Sequence, residues 1–208
     1  MVLPPRPLFL CLEGLDGTGK STQCELLVSW LERLGRKVVF ARDPGSTGLG
    51  LEIRRLLLEY KGNMATGCEM ALFFAARAQM LEEVIRPALK EGRDVVLDRY
   101  LLSTIAYQGY GAGLDVDRIW QAGLFAARDL LPQLILVLDL AVNVSMGRLN
   151  GIRDRMESRG NAYFDSVRNG FLQEASKNPE TIRIIPAEGD RLTVHSRIRQ
   201  EICNAFNE

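Results

Sequence analysis

The run Gly14-Leu15-Asp16-Gly17-Thr18-Gly19-Lys20-Ser21 meets the pattern G-x-x-x-x-G-K-[ST] at every fixed position. Glycines let a main chain wrap close around phosphate oxygens and aim its N–H groups at them. The lysine adds a point charge for the β and γ phosphates, and the hydroxyl of Ser21 suits Mg²⁺. An apolar run precedes the motif and an amphipathic one follows, so Lys20, Ser21 and Thr22 open a helix whose N-terminus favours anions. The chemistry this predicts is binding of a nucleoside triphosphate through Gly14 to Thr22. The motif does not specify what is done with it.

Two further apolar runs end in a carboxylate, Val95-Val-Leu-Asp98 and Leu136-Val-Leu-Asp139. In open α/β sheets ligands collect at the carboxyl ends of strands, so both acids stand where a metal could sit. Asp98 is the better candidate. Arg99 follows it, and a carboxylate for a metal beside a guanidinium for a phosphate suits transfer between two anions. Asp139 precedes a helical pattern and reads as an N-cap-like or structural residue.

The elements that must carry these groups follow from hydrophobic periodicity. Strands are expected at 8–12, 37–41, 94–98, 134–140 and 181–185. Helices are expected at 20–34, with Leu26, Leu27, Trp30, Leu31 and Leu34 on one face and Gly35 as the stop, and at 68–91, 116–130 and 193–206. Apolar strands alternating with helices predict an α/β fold, a doubly wound five-stranded parallel sheet flanked by helices. The 208 residues suit one domain. The stretch 150–161, rich in Gly, Arg and Asn, interrupts two helical patterns and is expected to be a mobile lid.

Composition narrows the partners. Lys plus Arg and Asp plus Glu number 26 each, so no nucleic-acid polymer is expected on bulk charge. No apolar run is long enough to span a membrane or form a secretory leader. Cys11, Cys24, Cys68 and Cys203 show neither C-x-x-C nor metal-ligand spacing, as expected for thiols in the cytoplasm. His195, the sole histidine, is distant from every motif and reads as a packing or surface residue.

Three runs together carry a resemblance: Gly14 to Thr22, Phe73-Phe-Ala-Ala-Arg77-Ala-Gln79, and Asp98-Arg-Tyr-Leu-Leu-Ser-Thr-Ile-Ala-Tyr-Gln-Gly109. In this order and spacing the chain resembles bacterial thymidylate kinase from Phe9 to the final helix. The resemblance implies a P-loop nucleoside-monophosphate-kinase fold, Mg·ATP as donor, dTMP as acceptor and a homodimer. It matches Phe73 to a base-stacking residue. Arg77, one helical turn on, would serve a base carbonyl and also reach the acceptor phosphate. Arg99 would hold that phosphate. Ser103, Thr104, Tyr107 and Gln108 would line the acceptor site, with Thr104 and Gln108 toward the base edge and Tyr107 beside the sugar 2′ carbon. Pro44 lies in the matching loop Arg42-Asp-Pro-Gly45, where Asp43 replaces the usual Glu. Asp16 would touch the 3′-hydroxyl or orient arginines.

One subgroup of that family carries Arg in the phosphate loop, whereas position 17 here is Gly. The donor-side cation is therefore expected from the lid. Arg148, Arg153, Arg155 and Arg159 are available, and Asn150 stands where a lid arginine would align. Arg153 is the expected catalytic residue beside Lys20, Asp16 and Arg99. Arg148 resembles a residue that stacks on adenine, Asp154 and Glu157 resemble a lid acidic pair, and Arg159 reads as a solvated surface charge. Competing readings are another pyrimidine deoxynucleotide or deoxynucleoside kinase of the same fold, and a non-catalytic nucleotide-binding regulator.

Overall fold

The computed structural model describes residues 3–149, 155 and 159–206. Strand β1 (Phe9–Gly14) leads through the phosphate loop into helix α1 (Lys20–Arg33). Strand β2 (Val38–Arg42) and helices α2 (Gly48–Glu59) and α3 (Thr66–Met80) follow. A π-helical turn, Leu81–Ile85, joins α3 to α4 (Arg86–Lys90) in the region read as one long helix. Pro87 explains the turn: it lacks an N–H and crowds the carbonyl four residues back, and one wider turn relieves both. Next come β3 (Asp94–Asp98), α5 (Leu101–Thr104) with a π-helical stretch Ile105–Gly111, and α6 (Val116–Ala126). The chain closes with β4 (Leu134–Asp139), α7 (Val142–Gly147), α8 (Asn161–Lys177), β5 (Ile182–Pro186) and α9 (Arg191–Phe206).

The five strands form one parallel sheet in the order β2-β3-β1-β4-β5. Successive β1 residues feed opposite faces. Phe9 and Cys11 join Val95, Leu97, Ile135 and Val137 in one core, packed with α3 to α6 and α8. Leu8, Leu10 and Leu12 join Val96, Leu134, Leu136 and Leu138 in the other, under α1 and α9. On α1, Leu27, Trp30 and Leu31 are buried as expected, but Leu34 is 45% exposed. The helix ends one residue earlier, and Gly35 (φ 78°) turns the chain away.

From β1 the chain runs out to β2 and returns to β3 on one side, then crosses to β4 on the other. This reversal opens a crevice at the carboxyl end of β1. Gly14 and Asp98 therefore finish neighbouring strands at one rim, with Leu12 paired to Asp98 and Gly14 to Leu138. Asp139 takes the structural role expected of it, receiving Arg168 Nε at 2.6 Å and Nη2 at 2.8 Å.

Candidate active site

The phosphate loop is shaped by its glycines. Gly14, Gly17 and Gly19 have φ of 128°, 77° and 94°, which L side chains rarely adopt. At Gly17 a Cβ would fall 2.1 Å from the Ser145 carbonyl of α7, so no arginine fits there. The first turn of α1 leaves the N–H groups of Lys20, Ser21 and Thr22 without intrahelical partners. With Asp16, Gly17 and Gly19 they line a depression, which Arg42, Arg54, Asp98, Arg99, Arg148 and Leu149 complete. Lys20 Nζ donates to the carbonyls of Gly14 (3.1 Å) and Leu15 (2.7 Å). Burial, with repulsion from Arg99, lowers the lysine to about 8, against the pull of Asp16.

Ser21 and Asp98 meet as expected: the hydroxyl donates to Asp98 Oδ2 at 2.9 Å. Arg42 caps the pair, Nε to Asp98 Oδ2 at 3.1 Å and Nη2 to Ser21 Oγ at 2.8 Å. Two hard oxygens already covered by a cationic group fit Mg²⁺, which is held by few protein ligands plus phosphate oxygens and water.

A second pocket adjoins the first and shares Asp16, Arg54 and Arg99 with it. Every residue expected in an acceptor site lines it: Asp16, Pro44, Phe73, Arg77, Arg99, Ser103, Thr104, Tyr107 and Gln108. Asp43, Arg54, Leu57 and Leu58 line it too, and of these four the sequence singles out Asp43 alone. Phe73 is half-buried on α3, and Arg77 lies one turn further.

Arg77 differs from the expectation of a double role. It is fully buried. Its Nε donates to Asp43 at 2.6 Å, and its Nη2 to the Tyr100 carbonyl (3.1 Å) and Thr104 Oγ1 (3.0 Å). Nη1 alone of its nitrogens lacks a partner among the described residues, leaving one group for a ligand. Burial raises Asp43 despite the attraction of Arg77. Thr104 and Ser103 likewise have partners inside the protein. The Ser103 hydroxyl donates to Glu13 and receives Arg99 Nη1 at 2.9 Å.

Arg99 begins the segment after β3 with a φ of 73°, an uncommon conformation for a side-chain-bearing residue. Its surroundings hold it there. Its backbone N–H donates to Leu12 at 3.0 Å, Nη1 donates to the Gly14 carbonyl at 3.0 Å, and Nη2 reaches Asp16 and Tyr107. Burial works to raise Asp16, but Arg99 and Lys20 outweigh it and hold the carboxyl well below the usual range. Glu13, which stands just outside the phosphate-loop motif, is buried at the end of β1. It accepts from the N–H groups of Tyr100 (2.8 Å) and Ser103 (3.1 Å) and so anchors the segment that presents Arg99.

Of the segment 150–161, Arg153, Asp154, Glu157 and Asn150 lie outside the described residues. Arg159 is not a solvated surface charge. Its Nη2 donates to the buried carboxylate of Glu69 at 2.9 Å and its Nη1 to Tyr163 Oη at 2.6 Å. Arg155 also reaches Glu69, and its Nε donates to the Leu57 carbonyl at 2.9 Å. His195 is buried on α9, and neither ring nitrogen has a partner among the described residues; burial, then Arg199 and Arg33, lower it.

Residues 12–198 match the family model described as thymidylate kinase. This chain belongs to the thymidylate kinase family. It is 43% identical over 195 residues to a thymidylate kinase of Clavibacter michiganensis subsp. michiganensis, with 92% of each chain covered. It is 40% identical to that of Fervidobacterium nodosum, covering 96% of this chain and 98% of the relative. The solved thymidylate kinase of Ehrlichia chaffeensis is 30% identical, with a TM-score of 0.81 over 95% of this chain and 100% of that one. The parallel sheet and flanking helices are thus those of a P-loop nucleoside-monophosphate kinase.

Proposed function

We infer that this chain transfers the γ-phosphate of ATP to dTMP, giving ADP and dTDP. One observation carries the assignment of sites. The phosphate-loop depression and the pocket holding Phe73 share a wall made of Asp16, Arg54 and Arg99. A donor in one and an acceptor in the other would bring two phosphates together across that wall. The acceptor oxygen is already ionised, so no general base is needed. It forms a bond to Pγ, and the electron pair of the broken bond stays on the β-phosphate of ADP. Catalysis then consists of positioning and charge compensation. Lys20 serves the β and γ phosphates, Arg99 the acceptor phosphate, and Arg148 the adenine face. Mg²⁺, which neutralises the β and γ phosphates, would be held by Ser21 and Asp98.

Phe73 offers a face to the base, and Tyr107 fills the space beside the sugar. Arg77 Nη1 and Gln108 Oε1, without partners among the described residues, present one donor and one acceptor. Asp16 orients Arg99. The donor-side cation is assigned to Arg153 in a lid over 150–161, since Gly17 leaves no room in the loop. We also assign a homodimer, supported by the exposed Leu49, Leu51, Leu56 and Phe125 on α2 and α6, and a cytoplasmic location, which suits cysteines spaced without C-x-x-C.

The test is ADP release with ATP, Mg²⁺ and a panel of acceptors: dTMP, dUMP, dCMP, dGMP, dAMP and thymidine. dTMP should give the highest kcat/KM. A purine monophosphate or thymidine in first place would overturn the acceptor assignment.

A further inference from the structure

We propose that Glu69 sets the acceptor-base preference by fixing which way the Gln108 amide faces. This rests on the reading of the Phe73 pocket as the acceptor-base site. Glu69 lies in the first turn of α3 and is fully buried. Its Oε1 accepts from Gln108 Nε2 at 2.7 Å and from Arg159 Nη2 at 3.1 Å, and its Oε2 accepts from Arg159 Nη2 at 2.9 Å and from Arg155. Guanidinium groups donate and never accept, so the carboxylate between them can act only as an acceptor.

A glutamine amide has one donor end and one acceptor end. Turned about, it would set Gln108 Oε1 against Glu69 Oε1, two acceptors at hydrogen-bond distance inside a buried site, a costly arrangement. Gln108 Nε2 is thus committed to Glu69, and Oε1 is left buried and without a partner among the described residues, in a side chain lining the pocket. Arg77 Nη1 is in the same position with the opposite polarity.

The two free groups read a base edge. Thymine and uracil offer O4, an acceptor, beside N3–H, a donor, and both are matched. Cytosine offers an N4 amino donor and an N3 acceptor. Against Arg77 and Gln108 it meets donor with donor and acceptor with acceptor. Sites built on such polar groups reject the mismatched analogue strongly, because their buried groups are left unpaired. Glu69 touches no base in this account. It is a positioning residue, and the two arginines keep it an acceptor.

The experiment compares kcat/KM for dTMP, dUMP and dCMP in the unchanged protein, Glu69→Gln and Arg159→Ala. Glu69→Gln can donate as well as accept, so Gln108 is free to turn. The dTMP:dCMP ratio should narrow roughly tenfold, one hydrogen bond's worth, while Arg77 maintains the rest. The dTMP:dUMP ratio should stay fixed, since both bases share that edge. Arg159→Ala leaves Glu69 facing Gln108, so its rates should fall without a change in either ratio. A purely structural role for Glu69 would lower all rates together and leave the dTMP:dCMP ratio intact, which overturns the proposal. If the unchanged protein does not favour dTMP over dCMP, the acceptor reading itself fails. Should Glu69→Gln not fold, the side-chain NH₂ of Gln108 in the unchanged, ¹⁵N-labelled protein decides. Protection from solvent exchange supports its bond to Glu69, and rapid exchange contradicts it.

Discussion

The hydroxyl of Tyr107 donates to Asp16 Oδ2 at 3.1 Å, tying the wall of the acceptor pocket to the phosphate loop. The same hydroxyl lies 3.4 Å from Arg99 Nη2, and the guanidinium packs 5.2 Å from the Tyr107 ring centroid. The ring and the hydroxyl therefore do separable jobs. Tyr107→Phe should cost about 1 kcal/mol of the Asp16 contact yet retain discrimination against the ribonucleotide. Tyr107→Ala should lose part of that discrimination. The kcat/KM ratio for dTMP over its ribo counterpart checks this, and an unchanged ratio in the alanine variant removes Tyr107 from sugar selection.

Lys20 makes ATP binding pH-dependent. In the free protein burial and Arg99 lower its pKa to about 8, whereas bound phosphates favour the charged form. Above about pH 8 binding must take up a proton, so ATP affinity should fall by up to about tenfold per pH unit. Asp16 raises the lysine, so Asp16→Asn should move this limb to lower pH. A flat affinity between pH 6.5 and 9.5 contradicts the account. Lys20→Ala should abolish transfer and leave the fold intact.

Arg159 and Arg153 should behave differently. Arg159→Ala removes one of two guanidinium groups from the buried Glu69 and should lower stability by about 1–3 kcal/mol in urea unfolding. An unchanged midpoint would show that the pair contributes nothing. Arg153→Ala should lower kcat about 10²–10³-fold with little change in the ATP KM, as expected of a cation engaged while the phosphoryl group moves. A change confined to KM would exclude that role.

The assembly is also measurable. Light scattering at micromolar concentration should give twice the 23.3 kDa chain mass. Replacing Phe125, 85% exposed on α6, by Asp tests whether α6 takes part, with a shift toward monomer expected.

Much of this was legible in the sequence, for local reasons. A loop that wraps phosphate needs glycine at fixed positions, and a strand end that meets it announces itself by an acid after an apolar run. Glu69 was not legible, because an acidic residue in a helix's first turn is ordinary. Its partners lie 39 to 90 residues away, and only the fold brings them together. Arg159 was misread for the same reason: a charge beside a polar segment looks solvated until a buried carboxylate is placed opposite. Arg54, Leu57 and Leu58 belong to α2, which the periodicity did not announce, and only the tertiary packing places them in the acceptor pocket.

Transfer between two adjacent sites is tested by following the phosphoryl group itself. ATP labelled at the γ-phosphate is incubated with the protein, Mg²⁺ and dTMP, and the products are separated. Label should appear in dTDP in step with ADP formation, and neither product should form with Lys20→Ala. Label appearing as inorganic phosphate, or ATP bound but unconsumed, would contradict it.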